Sequence, residues 1–350
     1  MLGGREGRKL LYFLAAIFGA LFLSGFLLHH TLSALLTSLV TAFLLNPLLN
    51  YAEGRGFRRL PAITLTYIIV AILLLILSLA FLPYLAHQTN ALTREMPHYV
   101  QNVKGALQKW QVALAPYYSG EEGEWLIDQA GESLSKVTEV ISGLGLARLK
   151  GALFGVFNLV LAPILVFFML MYKDAIKRGI IRFIPAADQE RLLAMGAKIN
   201  RTLERFILAM ALDCLMVGAL SALALYLLHI EFPLLNGMIA GFASIVPVLG
   251  AVVAVIPPAF VGYANSGDLM IIPKVCAAYF IVHVVIEGNL IKPLIMKGAL
   301  KLNPLAVIFA VMAMGELLGF WGIVLAVPLT AIVKICADEV RRLRAERGTS

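Results

Sequence analysis

Charged residues are scarce in this chain, and their scarcity excludes an ordinary soluble domain. Only 14% of the 350 residues are Asp, Glu, Lys or Arg, and 60% are hydrophobic. Soluble domains carry about a quarter of charged residues. The mean hydropathy of +0.87 agrees with this contrast. The composition is typical of a polytopic membrane protein.

Cysteine and the common catalytic motifs are also lacking. Three cysteines, with no C-x-x-C pair, suggest neither a disulfide framework nor a zinc site. The chain has no G-x-x-x-x-G-K phosphate loop, no H-E-x-x-H and no G-x-S-x-G. An intramembrane aspartyl protease would need a partner for Asp213, and Asp268 lies in a predicted loop. We expect no enzyme activity, no catalytic residues, no metal and no cofactor.

The net charge of +8 does not indicate nucleic acid as a partner. The basic residues flank apolar segments instead of forming an aromatic-interleaved patch. We interpret them as determinants of membrane topology, since Lys and Arg favour the cytoplasmic side.

Apolar runs predict about six full membrane spans, because about 20 residues cross the hydrocarbon layer. The runs lie at about 10–28, 31–49, 61–85, 151–172, 206–229 and 269–291. The first follows a basic start, but it is long and lacks a small-residue cleavage site, so we expect a retained span rather than a signal peptide. Basic clusters then place both termini in the cytoplasm.

Two further apolar stretches, Phe232–Val261 and Asn303–Val333, are too long for one simple span and too short for two. Pro247 and Gly250 interrupt the first, and Gly315, Gly319 and Gly322 interrupt the second. We predict two re-entrant helical hairpins. Their second limbs match, Gly250-Ala-Val-Val-Ala-Val-Ile-Pro257 beside Gly322-Ile-Val-Leu-Ala-Val-Pro328.

The predicted fold is therefore all-α, with two hairpins in inverted orientation and a helical extracytoplasmic insert. It divides the chain into a three-span region (1–86), the insert (87–150), a fourth span with a cytoplasmic amphipathic helix (151–205), a transport core with both hairpins (206–335) and a basic cytoplasmic tail (336–350). Inverted repeats of this kind can support alternating access. A short match among Gly, Ala, Val and Pro can also arise by chance.

Two segments leave alternatives open. An apolar seam begins at Leu92 and ends at Trp110 in a four-three alternation, which can bind a helix of another subunit or pack on the third span. A second periodic stretch, from Leu192 to Phe206, is either an interfacial amphipathic helix or a helix that leads directly into the fifth span.

Ionisable residues at membrane depth are candidates for function. Asp213 is a candidate proton or cation carrier, or else a buried hydrogen-bond partner. His283 and Glu287 share a helical face, with Asn289 following, and are candidates for solute binding or proton relay; the alternative is a simple pair with Lys292 or Lys297. Glu316 falls at the turn of the second hairpin, where it contacts solute or only forms the hairpin tip.

Several motifs together resemble the autoinducer-2 exporter family of bacterial membrane proteins. They are Asn46-Pro47, Ile245-Val-Pro-Val-Leu-Gly250, Glu287-Gly-Asn-Leu-Ile-Lys-Pro293, Leu302-Asn-Pro-Leu305 and Gly319-Phe-Trp-Gly-Ile-Val-Leu-Ala-Val-Pro328. The similarity extends over nearly the whole chain. Glu316 stands where the family pattern has a second glycine.

This resemblance implies a bacterial inner-membrane permease that exports a small polar signal such as autoinducer-2. Other members exchange sodium or lithium for protons, so a sodium/proton antiporter is the first alternative. The family also implies a homo-oligomer in contact with membrane lipids, and a pentamer is the candidate assembly. A non-transporting scaffold that recruits a partner through the insert is the second alternative.

Overall fold

The computed structural model describes residues 29–114, 161–182, 189–246, 249–295 and 303–348, with 129 and 132 as isolated positions. Within these ranges every regular element is a helix, which confirms the all-α prediction for the described part of the chain. The helices are α1 His29–Gly54, α2 Arg59–Leu114, α3 Leu161–Met171, α4 Lys173–Arg182, α5 Gln189–Leu227, α6 Pro233–Ala243, α7 Leu249–Ser266, α8 Ile271–Ile295, α9 Pro304–Leu318 and α10 Phe320–Gly348.

Five of the described helices are long and apolar enough to cross a membrane. These segments are Ser33–Gly54, Arg59–Lys109, Gln189–Leu227, Ile271–Ile295 and Phe320–Arg342. In α2 the consecutive residues from Ile72 to Ile76 are all more than half exposed, so this part of the helix is apolar on every side. Such a surface is unfavourable in water and favourable in contact with lipid. The predicted span at 10–28 lies outside the described residues.

The described residues fall into two compact units. One contains residues 29–70, 161–211 and 295–348, and the other contains residues 71–114 and 212–294. The predicted boundaries after residues 86 and 335 lie inside the continuous helices α2 and α10.

In the first unit, α1, α3 and the start of α2 share an apolar core around Leu49, Ile63 and Val166. Polar side chains connect the helix ends around this core. Arg59 donates from Nε to the carbonyl oxygen of Leu170 at 2.9 Å, which satisfies an end carbonyl of α3. Asn46, which is buried, donates to Glu204 at 2.9 Å and accepts from Lys173 at 3.1 Å.

The periodic stretch from Leu192 to Phe206 is the first half of α5, and the helix continues without a break to Leu227. Of the two alternatives, the structure therefore has the helix that leads directly into the fifth span. Arg191 of α5 pairs with Glu339 of α10 at 2.7 Å. This pair holds the charged ends of the two helices together within the first unit.

In the second unit, the seam of the predicted insert follows α2 and packs on the α6–α7 region of the same chain, while binding to another subunit stays a prediction. Tyr99 and Val103 contact Phe232, Val261 and Ala264 of the α6–α7 region. The third span belongs to the same continuous helix, so the seam cannot fold back onto it. The rest of the insert, apart from positions 129 and 132, lies outside the described residues.

Polar contacts strengthen this attachment of α2 to the α6–α7 pair. Tyr99 donates a hydrogen bond to Glu231, and Asn265 donates to the other carboxylate oxygen at 3.0 Å. Asn102 donates to the carbonyl oxygen of Ala264 at 2.9 Å. The carboxylate of Glu231 thus connects α2 to the end of α7.

The two predicted hairpins are present as helix pairs with short turns. Helices α6 and α7 pack against each other, as do α9 and α10. A Cβ atom added at Gly250 would overlap the carbonyl oxygen of Ala243, and one added at Gly322 would overlap that of Met314. Each second limb therefore begins with a glycine pressed on the last turn of the first limb. The position of either turn relative to the bilayer remains a prediction.

Candidate functional site

The predicted pair on α8 forms part of a three-residue charged cluster. His283 Nδ1 lies 2.7 Å from Glu287 Oε2, and Lys292 Nζ lies 2.5 Å from Glu287 Oε1. His283 and Glu287 are 8% and 3% exposed. Both carboxylate oxygens of a buried glutamate thus have partners, which is the condition for keeping a charge inside a membrane protein. Of the predicted alternatives, the pair with Lys292 is present, and Lys297 lies outside the described residues.

The winding of α8 explains why three residues at this spacing meet. An α-helix turns about 100° per residue, so a residue five positions along points about 140° away. Residues Ile281–Ile291 instead form a π-helix, in which hydrogen bonds join residues five apart. Lys292 is five residues beyond Glu287, and its backbone N–H donates to the Glu287 carbonyl. The wider turn brings the ammonium group to the carboxylate.

The buried face of α8 also reflects its π-helical winding. Val275, Tyr279, His283, Glu287 and Ile291 are all buried and recur every four residues. In a regular α-helix this stripe would drift by about 160° over its length. The π-helical segment keeps it on one face. Such segments often occur at functional sites.

Asp213 on α5 belongs to the same cluster. It is 3% exposed and lies within electrostatic reach of Glu287, Lys292 and His283. Asp213, Val217 and Ser221 are buried at four-residue steps, so they share one face of α5. Two helices therefore present ionisable side chains to one buried region of the second unit.

Some polar atoms in the described part of this region have no hydrogen-bond partner. They are Asp213 Oδ1, Ser221 Oγ, Tyr279 Oη and His283 Nε2. When His283 donates from Nδ1 to Glu287, the neutral ring leaves Nε2 as an acceptor. Unpaired buried polar atoms cost about 1–3 kcal/mol each, so each one requires an explanation.

The α6–α7 pair packs against α5 at Cys214, the residue that follows Asp213. Ser244, at the end of α6, places its hydroxyl 3.8 Å from the sulfur of Cys214 and donates to the Gly241 carbonyl at 2.7 Å. A Cβ at Gly241 would overlap the Cys214 carbonyl, and one at Gly218 would lie 3.1 Å from the Gly237 carbonyl. Small residues let the two backbones approach, as in many membrane helix pairs.

The remaining predicted residues have different positions. Asn289 is exposed and donates to the Val284 carbonyl at 2.8 Å, so its amide stabilises the π-helical segment. Gly319 has φ 59° and ψ −136° and forms the turn between α9 and α10. Glu316 is exposed on α9, in the first unit. Pro247 lies outside the described residues.

Tyr279, Ser221 and the glycines of α5 and α6 were not among the residues predicted for the site. The four-residue spacing from Val275 to Ile291 and the paired motifs Gly218-x-x-x-Ala222 and Gly237-x-x-x-Gly241 were visible signals for them. Within the described ranges, no three His, Cys, Asp or Glu side chains are grouped as metal ligands would be.

Membrane-length helices, two glycine-turn helix pairs and a buried ionisable cluster are features of a multi-pass membrane protein. Residues 10–342 match the profile of the AI-2E family transporter, and the chain belongs to that family. The described residues Asn46, Glu287 and Gly322 stand in the motifs that suggested this membership.

The chain is similar to several bacterial proteins that are named as transport proteins or permeases. The AI-2 transport protein TqsA of Escherichia coli (strain K12) is 28% identical over 304 residues, which cover 86% of this chain and 84% of that protein. The putative permease PerM of the same organism is 28% identical over 335 residues, covering 94% and 92%. The putative transport protein YrrI of Bacillus subtilis (strain 168) is 24% identical over 319 residues, covering 89% and 87%.

Proposed function

We propose that this protein is a secondary transporter that moves a small polar solute across the bacterial inner membrane by alternating access. The observation that carries the proposal is the buried cluster of Asp213, His283, Glu287 and Lys292, in which Asp213 Oδ1 and His283 Nε2 have no hydrogen-bond partner. These atoms offer hydrogen bonds at membrane depth. A bound solute would form the missing hydrogen bonds. Because unpaired buried polar atoms cost free energy, forming these bonds would favour binding.

The chemistry of these atoms supports a hydroxyl-bearing solute. Asp213 Oδ1 and His283 Nε2 accept hydrogen bonds when the ring is neutral, while Tyr279 and Ser221 can donate or accept. TqsA is named as an AI-2 transport protein. An autoinducer-2-like solute therefore heads the list of substrates to test.

The glycine-turn helix pairs support alternating access. In both pairs a glycine of the second limb meets a backbone carbonyl of the first limb, so the sequence match at Gly250 and Gly322 has a counterpart in packing. Re-entrant hairpins of opposite orientation, cytoplasmic termini and a homo-oligomer, with a pentamer as the candidate, complete the proposal.

Counterflow in proteoliposomes tests the proposal. Vesicles with purified protein are loaded with autoinducer-2, and uptake of labelled autoinducer-2 is compared with uptake by vesicles containing Glu287→Gln. Glu316→Gln is the matched control, because Glu316 is an exposed carboxylate in the other unit. We expect counterflow by the parent and the control and at least a tenfold loss in Glu287→Gln. Equal counterflow in all three would contradict the assigned site.

Sodium/proton antiport is the second candidate, and Asp213 favours it. A buried carboxylate oxygen without a hydrogen-bond partner is a candidate acceptor for a proton or a cation at membrane depth. A sodium gradient across the same vesicles should then drive proton movement, followed with an internal pH dye. Asp213→Asn should abolish that movement, whereas Glu316→Gln should leave it intact. If neither flux occurs in well-formed vesicles, the scaffold function gains support.

A further inference from the structure

The turn that leads from α5 into α6 has a strained backbone. His229 and Phe232 both have φ 56°, in the left-handed region. Bulky residues rarely adopt this conformation, and it persists only where the surrounding contacts hold it in place. Phe232 is also buried. The contacts around this turn therefore determine where the chain enters α6.

Glu231, which lies in this turn, joins it to two helices. One carboxylate oxygen accepts a hydrogen bond from Tyr99 of α2, and the other accepts from Asn265, near the end of α7, at 3.0 Å. Tyr99 is buried. Hydrogen bonds to an ionised carboxylate are roughly twice as strong as those between neutral groups. One side chain thus connects the turn, α2 and the end of α7.

Helix α2 holds both limbs of the α6–α7 pair at the same end. Gln88, which is buried, accepts from the backbone N–H of Leu235 in the first turn of α6 at 3.0 Å. Amides in the first turn of a helix have no partner within it, so this bond satisfies one of them. Asn102 donates to the Ala264 carbonyl near the end of α7 at 2.9 Å. The base of the pair, where α6 begins and α7 ends, is therefore fixed by directional polar contacts.

The far end of the pair, at Ser244, has contacts of a different kind. A Cβ atom added at Gly241 would lie 3.1 Å from the α-carbon of Gly218 on α5. Such glycine surfaces permit close approach but carry no side chain that fixes one position. Ser244 lies 3.8 Å from the sulfur of Cys214, which directly follows Asp213. The position of the far end therefore affects the surroundings of Asp213.

We infer that Glu231 is a positioning residue, which fixes the base of the α6–α7 pair and so sets where its far end lies beside Asp213. Helix α6 has 11 residues. It is thus about 16 Å long, and a rotation of the base by about 10° would move Ser244 by about 3 Å. A displacement of that size would change the contact with α5. The effect of Glu231 on the position of the pair does not depend on the solute, whereas its effect on flux rests on the proposed function.

Ser244 and Cys214 provide a direct measure of this position. Their 3.8 Å separation allows a disulfide to form between Cys214 and the thiol introduced by Ser244→Cys. Cys276→Ala/Cys336→Ala removes the other two cysteines of the chain. The purified full chain in detergent is oxidised with copper phenanthroline, the remaining thiols are alkylated, and the intact mass gives the rate of disulfide formation.

Three changes on α2 and the base are compared in this background. Glu231→Gln keeps an acceptor for Tyr99 but presents an amide group to the amide of Asn265, so one hydrogen bond is lost. The exchange variant Glu231→Gln/Asn265→Asp restores a donor that faces an acceptor, and it keeps the net charge of the parent. Glu95→Gln is the matched control, because Glu95 is an exposed carboxylate one turn before Tyr99 on α2.

We expect Glu231→Gln to slow disulfide formation by about fivefold, the effect of one lost hydrogen bond. The exchange variant should return to within about twofold of the parent, and the control should match the parent. Recovery in the exchange variant, with an unchanged elution volume, separates lost positioning from lost folding. Counterflow, measured without Ser244→Cys, should fall in Glu231→Gln and recover in the exchange variant.

Equal rates of disulfide formation in the parent and Glu231→Gln would overturn the inference. A slower rate that the exchange variant does not recover would also overturn it, since Glu231 would then contribute only to stability. Equal slowing in Glu95→Gln would show a general effect of charge instead. No disulfide in the parent would contradict the placement of Ser244. The expected disulfide rates without counterflow by any protein would contradict the proposed function and leave the positioning role intact.

Discussion

The two glycine-turn helix pairs share a close contact between a glycine and a backbone carbonyl, but they differ in the chemistry around them. Gly250 and Gly322 occupy the same place against the preceding limb. The α6–α7 pair lies against the face of α5 that carries Cys214 and Gly218, next to the face that carries Asp213, whereas α9–α10 carries the exposed Glu316 and contacts α1 through Trp321. The geometry of the repeat is therefore preserved in both pairs, while the buried charged cluster belongs to one unit.

This difference shows why a sequence match alone does not identify a site. The matched residues of the second limbs are small and apolar, and they determine how closely two helices approach. The ionisable residues near α6–α7 come from α5 and α8, which lie outside the match. Variants of each pair can therefore separate packing from chemistry.

Alanine at either turn glycine should destabilise the protein, because each glycine lies against a backbone carbonyl of the preceding limb. In Gly250→Ala and Gly322→Ala the new Cβ overlaps a backbone carbonyl, so we expect each to destabilise the protein by about 3 kcal/mol or more. Thermal unfolding in detergent and abundance in membranes measure this. Gly196→Ala is the control, because its Cβ would meet nothing within 4 Å. A loss of stability in only one of the two variants would show that the two glycines match in sequence but not in packing.

Neutralising one carboxylate in each unit should distinguish their chemistry. Glu287→Gln removes a buried charge between His283 and Lys292, and breaking a buried pair costs about 3–5 kcal/mol. We expect a lower unfolding temperature together with the loss of flux described above. Glu316→Gln should leave both within error of the parent, because its side chain is exposed. A comparable loss of flux in Glu316→Gln would place solute chemistry in both pairs.

Single-residue deletions should show that α8 contains an extra residue. Deleting Gly288 leaves Lys292 four positions from Glu287, so an ordinary α-helix would keep the pair and the buried stripe. We expect a cost of no more than about 2 kcal/mol. Deleting Ala277, in the α-helical part, should cost more than about 4 kcal/mol because it turns the stripe by about 100°. Equal unfolding temperatures for the two deletions would contradict the π-helical assignment.

Much of the fold followed from the sequence because apolar runs and glycines act locally. The existence of the helices and both turn regions was predictable from residues such as Gly250, Gly319 and Gly322. The continuity of α2 was not, because a helix can continue from apolar to polar sequence without any break signal at residue 86. The buried stripe from Val275 to Ile291 was not predictable for a similar reason. It depends on π-helical winding, whereas predictions from sequence use the regular α-helical period.

The candidate site was predicted in part for a related reason. His283 and Glu287 were paired correctly, because four-residue spacing places side chains together. Asp213 approaches them only through packing of α5 and α8, because it lies 70 residues before His283 in the sequence. Partners of that kind depend on tertiary structure. The unpartnered atoms of Tyr279 and Ser221 could not be recognised without it.

The attachment of α9–α10 should have the smallest effect when it is changed. Trp321 Nε1 donates to Ser33 Oγ of α1 at 3.1 Å, and a single hydrogen bond contributes about 0.5–1.5 kcal/mol. Trp321→Phe keeps most of the ring, so we expect a loss of about 1 kcal/mol with flux unchanged. A double-mutant cycle with Ser33→Ala isolates the pair, because the second substitution should add little once the first is present. Fully additive losses would show that the indole acts by packing alone, and the contrast between the two helix pairs would then be one of shape rather than of polar contacts.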